Sequence, residues 1–212
     1  YMSVVLFHGK QYLAMSLIIV FFAMVPFFLV FEGRKPQARE IMVIAVLAAI
    51  GVAGRAAFYM VPSFKPIAAI VIITGVSFGG EAGFLVGCMI MMVSNMFFGQ
   101  GPWTPWQMFS YGLIGFLAGI LFQKGILKAK KIPLCIYGFL SVIFIFGGIM
   151  NPASILMSYG RITWKSLIAF YISGIPVDLV QATSTVFFLW ILSRPLLEKL
   201  ERIKKKYGLI ER

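Results

Sequence analysis

Two residues of opposite charge, Arg55 and Asp178, stand inside otherwise uncharged runs of this 212-residue chain. A lone charge at mid-membrane depth costs at least about 2.5 to 3.5 kcal/mol on insertion scales, so such residues pair with each other or face a wet cavity. Arg55 lies 14 residues past Ile41 and Asp178 lies 15 before Ser193. At 1.5 Å per helical residue these are roughly 21 and 22 Å, one common depth. The arithmetic predicts an intramembrane charged pair of Arg55 and Asp178, either a structural ion pair or part of a solute site. A second concentration of chemistry spans 17 residues: Asn95, Gln100, Trp103, Trp106, Gln107 and Tyr111. Rigid aromatic faces beside amides suit a planar polar ligand. Trp103 and Trp106, flanking two prolines, equally suit an interfacial aromatic belt.

Other chemistries lack their residues. No G-x-x-x-x-G-K-[ST] loop is present to cradle a nucleotide phosphate, so the chain has no ATPase of its own. Neither H-E-x-x-H nor G-x-S-x-G occurs, and no paired intramembrane carboxylates form a catalytic set. Gly99, Gln100 and Gly101 do not make a dinucleotide fingerprint, because no strand precedes them and Pro102 breaks the spacing. His8 is alone, and a metal needs partners it lacks. Cys88 and Cys135 sit in separate apolar runs, where packing is the reading. No cofactor and no metal are expected.

The elements that position these residues follow from composition: 60% hydrophobic, 16% aromatic and 12% charged. Soluble domains carry about a quarter of their residues as charge, so this is a polytopic membrane protein. About 20 apolar residues cross the hydrocarbon. Uncharged runs predict seven all-α segments at 11–31, 41–60, a short 67–79, 84–98, 107–122, 133–150 and 166–193. The first is too long for a signal-peptide core and reads as a retained helix. Gly99 to Trp106, with two prolines, must be a loop. Gly174 and Pro176 should bend the last helix near Asp178.

Of 19 Lys and Arg, fourteen fall on one side of these segments: Arg34, Lys35, Arg39, Lys124, Lys128, Lys130, Lys131 and seven in the 194–212 tail. The other side receives Lys10, Lys65, Arg161 and Lys165. Clustering between apolar runs identifies membrane loops rather than a nucleic-acid surface. The rule that basic loops stay inside places the C-terminus in the cytoplasm and the N-terminus outside. The outer loops are then 61–66, 99–106 and 151–165. In the second segment Ala45, Ala49, Ala53 and Ala57 form one small-residue row. Such a row admits a close neighbour, either a helix of this chain or a partner.

The Ala45, Ala49, Ala53 row, Lys65-Pro66 before a short second helix, and the run from Gly83 through Ser94-Asn95 to Gln107-Met108 together resemble a known family. The family is the S components, the substrate-binding membrane subunits of energy-coupling factor (ECF) vitamin transporters. The likeness covers residues 40–193. It implies a polytopic helix bundle with a six-helix core at 37–193, an extra N-terminal transmembrane helix and linker at 1–36, and a basic cytoplasmic tail at 194–212. It further implies a bacterial plasma-membrane location and a vitamin held near the outer face by the segments around Lys65, Trp103 and Tyr159. Asn151, Arg161 and Trp164 join Lys65, Asn95, Gln100, Trp103, Trp106, Gln107, Tyr111 and Tyr159 as candidate solute contacts. Ala45, Ala49 and Ala53 would dock a transmembrane T component joined to two ATPase subunits. The 83–108 run is most similar to S components assigned to cobalamin, with a queuosine precursor as alternative. A stand-alone facilitator, an intramembrane enzyme using Arg55 and Asp178, and a purely structural subunit are the rival classes.

Overall fold

A computed structural model describes residues 11–208. The described residues contain helices and no strand: α1 Gln11–Gly33, α2 Ala38–Ala57, α3 Ile67–Phe78, α4 Gly80–Phe98 and α5 Thr104–Gln123. Then come α6 Lys131–Ser141, a π-helical turn Val142–Phe146, α7 Gly147–Tyr159 and α8 Trp164–Tyr207. Five helical rods are long and apolar enough to span a membrane, and α3 is a shorter apolar helix.

The short α3 is the centre of the bundle, because Ile67 to Gly75 and Ser77 and Phe78 are all buried. It is apolar all round, as a helix enclosed by others must be. α4 and α5 meet it through a seam of glycines. A Cβ at Gly83 would lie 2.6 Å from the Gly115 carbonyl oxygen, and one at Gly87 only 2.6 Å from the Tyr111 carbonyl carbon. Backbones therefore touch where side chains usually intervene, the packing that small residues permit in a membrane. Gly115 and Gly119 serve this contact within the chain itself.

One end of the bundle is basic. Arg34 bridges Glu40 and Glu81 there, and Lys204 Nζ donates to the Ser77 carbonyl at 2.6 Å. At the opposite, aromatic end lie the α2–α3 connection, the 99–103 turn and the short link between α7 and α8. Helix α1 packs against α4 and α5. Phe27 stacks on Phe84 at 4.0 Å between centroids and meets Phe116 edge-on.

Three expectations change here. The loop read at 99–106 ends at Trp103, because Thr104 and Pro105 already open α5. The connection read at 151–165 is helical to Tyr159, so only residues 160–163 separate α7 from α8. Pro152 should orphan the carbonyl four residues earlier. That carbonyl, of Gly148, accepts the Tyr171 hydroxyl at 3.3 Å, which lets the helix run through the proline. The last helix likewise passes Pro176 and Pro195 and extends through the 194–207 region to Tyr207. At 1.5 Å per residue its 44 residues reach about 66 Å, twice the roughly 30 Å hydrocarbon thickness, so its basic end stands clear of the bilayer.

Candidate functional site

Arg55 is in the last turn of α2, where a cation complements the helix dipole. Its Nη1 donates to Ser94 Oγ and Asn95 Oδ1, both at 2.6 Å, and the guanidinium lies 5.5 Å from the Phe98 ring centre. Asn95 is fully buried, so all its polar valences need partners. Its amide nitrogen donates to Thr104 Oγ1 and to Gln107 Oε1, each at 2.9 Å. One side chain of α4 thereby ties α2 to the first turn of α5. A turn further along α5, the buried Tyr111 hydroxyl accepts Gln181 Nε2 of α8 at 2.6 Å. The π-helical turn ends at Phe146, whose ring lies 5.0 Å from that of Tyr111.

These groups enclose a cavity of about 120 Å³ at the aromatic end, lined by Arg55, Lys65, Gln107, Tyr111 and Gln181, with Ser63, Met91, Phe146 and Thr185 among the remaining walls. Lys65 is on the α2–α3 connection, fixed from below by Ser184 Oγ donating to its carbonyl at 3.2 Å. Burial pushes the Lys65 ammonium below its ordinary pKa, and the neighbouring Arg55 charge adds to the push.

The predicted Arg55–Asp178 pair is corrected. Asp178 Oδ2 accepts Asn151 Nδ2 of α7 at 3.1 Å, and no ion pair joins it to Arg55. Helix rise gives depth and leaves azimuth open, and the two charges face different neighbours. Glycine makes the Asp178 contact: a Cβ at Gly147 would sit 2.6 Å from Asp178 Oδ2.

Of the expected solute contacts, Lys65, Gln107 and Tyr111 line the cavity, and Asn95 braces it. Trp106 is half-buried, with its indole N–H unpartnered among the described residues. The others lie elsewhere. Gln100 is exposed and donates to the Met92 carbonyl, and Trp103 covers Gly101 at the surface. Asn151 belongs to Asp178, while Tyr159 and Arg161 border a separate shallow cleft and Trp164 is 82% exposed. Sequence reasoning missed Gln181, Ser63, Met91 and Thr185. Gln181 and Thr185 carried a signal: they are polar residues four apart in an apolar segment, hence on one helix face.

On the far side of α2, Ala45, Ala49 and Ala53 are exposed and line a wide apolar groove of about 610 Å³ with Met89, Val93 and Phe97. α2 instead turns Ile44, Leu47 and Gly51 to the bundle. The helix α1, packed on α4 and α5, leaves the groove open.

A profile of the family described as ECF-type riboflavin transporter, S component, matches residues 35–202. The chain belongs to this family. Among curated relatives, the S component is 30% identical to a UPF0397 protein of Vibrio atlanticus over 125 residues, 56% of this chain and 68% of that one. UPF0397 proteins of Aliivibrio fischeri and Aliivibrio salmonicida are 33% identical over 89 residues, 40% of this chain. Those two alignments span about half of the relatives, 48% of each. No solved structure matches. As an S component the chain is a multi-pass bacterial membrane subunit that works with a small-molecule substrate and with T and ATPase components.

Proposed function

We propose that this S component captures a scarce micronutrient at the outer face of the membrane for ATP-driven import by its partner subunits. The observation that carries the reading is the polar cavity held between α2, α4, α5 and α8 at the aromatic end, opposite the basic end. The basic-inside rule then sets the aromatic end outside and the α8 extension in the cytoplasm. The open alanine groove is the docking face for the T component, because small side chains let a partner helix come close.

For the substrate, the family description names riboflavin, and the 83–108 run resembles cobalamin subunits. The cavity of about 120 Å³ holds one polar head group, less than a whole flavin and far less than a corrin, so it seats one end of a solute and weighs most against cobalamin. Calorimetric titration of the purified chain without partners, with riboflavin, queuine and cobalamin in parallel, tests this. Saturable one-to-one binding of one of these, or of one carboxylated or phosphorylated compound of a broad vitamin panel, is expected, with cobalamin weak. Tight cobalamin binding overturns the size argument. A folded chain that binds none of these nor any compound of a broad vitamin panel overturns solute capture.

A further inference from the structure

Two cations, Arg55 and Lys65, line one small cavity, and the described residues place no carboxylate among its walls. The three ion pairs of the described residues lie elsewhere, at Arg34 and Arg194. Asp178, the nearest candidate counter-charge in sequence terms, is held by Asn151 outside the lining. The remaining polar walls are Ser63, Gln107, Tyr111, Gln181 and Thr185, neutral groups able to donate hydrogen bonds. Like charges brought together away from bulk water repel strongly, and an anion between them relieves that repulsion.

Resting on the solute-capture reading, we propose that the substrate of this subunit carries an oxyanion, a carboxylate or phosphate ester, seated between Arg55 and Lys65. Arg55 is the fixed half of the clamp, since Ser94 and Asn95 hold one of its nitrogens and leave the rest of the fork for a planar or tetrahedral oxyanion. Lys65 is the mobile half. Its side chain makes no hydrogen bond within the described residues, and its depressed pKa marks a charge short of solvent and of counter-ion.

The test uses the detergent-solubilised full chain and two probes, inorganic phosphate and acetate, each compared with chloride at matched ionic strength. Thermal unfolding is the readout. Saturable stabilisation by phosphate or acetate, whichever matches the native group, is expected in the wild type. Lys65→Met should weaken that affinity about tenfold or more, and Lys65→Arg should restore most of it. Gln107→Glu keeps the oxygen that accepts from Asn95 while adding a counter-charge, and should abolish the effect. No specific stabilisation, or an equal shift in wild type, Lys65→Met and Gln107→Glu, overturns the oxyanion site. That result would leave vitamin binding in calorimetry untouched, so the two readings fail separately.

Discussion

Replacing Asn95 by Leu keeps the branched shape and removes the polar atoms by which this side chain joins α2, α4 and α5. Three hydrogen bonds are lost, two donated to Thr104 and Gln107 and one accepted from Arg55. Interhelical bonds in membranes average about 0.6 kcal/mol and reach about 1.7, so two neutral bonds and one charge-assisted bond amount to about 3 kcal/mol. Gln107 Oε1 loses its donor and Arg55 keeps only Ser94 Oγ and the Phe98 face. For a chain of this size 1 kcal/mol moves the melting point by about 2 to 4 °C, which gives about 6 to 12 °C for Asn95→Leu. Asn95→Asp is the control, because a carboxylate still accepts from Arg55, and the Thr104 hydroxyl and a reoriented Gln107 amide can donate to it. It should cost less than half as much. Both are read by thermal unfolding in detergent, followed by intrinsic fluorescence. A fall below about 2 °C for the Leu variant, or an equal fall for Asp, refutes the view that this amide braces the site.

Tyr171→Phe removes the hydroxyl that satisfies Gly148 beside Pro152, and should lower the melting point by about 2 to 4 °C without touching the cavity. Ala49→Trp fills the open groove; pull-down with T and ATPase subunits should fail while solute titration stays unchanged, and surviving assembly would exclude that face. Lys65 gives a pH prediction. Its folded pKa is below the unfolded one, so its charged form penalises folding at neutral pH, and the penalty fades as pH rises toward the unfolded value. Lys65→Met should therefore melt above wild type at pH 7, with the gap closing in alkali. An oxyanion raises the same pKa, so in alkali, where Lys65 is partly neutral, its binding takes up protons; titration in two alkaline buffers of different ionisation enthalpy should show the uptake, and none in Lys65→Met.

The helices were legible because apolar runs in a bilayer have few alternatives, and α3 was legible even at 12 residues because Pro66 and Gly79 bracket it. Part of the cavity lining was legible for a related reason. Asn95, Gln107 and Tyr111 lie on two helices joined by a short turn, so closeness in sequence became closeness in space. Gln181 comes from 70 residues beyond Tyr111, and only the packing of α8 brings it there. The stretch 151–159 reads as a loop because the sequence does not show that Tyr171, on another helix, satisfies the carbonyl that Pro152 orphans. The Arg55–Asp178 expectation failed on rotation about the helix axis, which a span of nearly uniform apolar residues does not encode.

The glycine seam has a mechanical consequence. Side chains act as a compressible layer between helices, and where α3, α4 and α5 meet through Gly83, Gly87 and Gly115 that layer is missing. This trio can only shift as a single keel. The outer half of α8 is held differently, by the Asn151 to Asp178 bond, the Tyr171 hydroxyl and the Tyr159–Phe170 ring contact, while Ile168, Ile172, Ile175 and Val177 face outward. On the keel, the cavity walls that α4 and α5 supply therefore keep their spacing to each other.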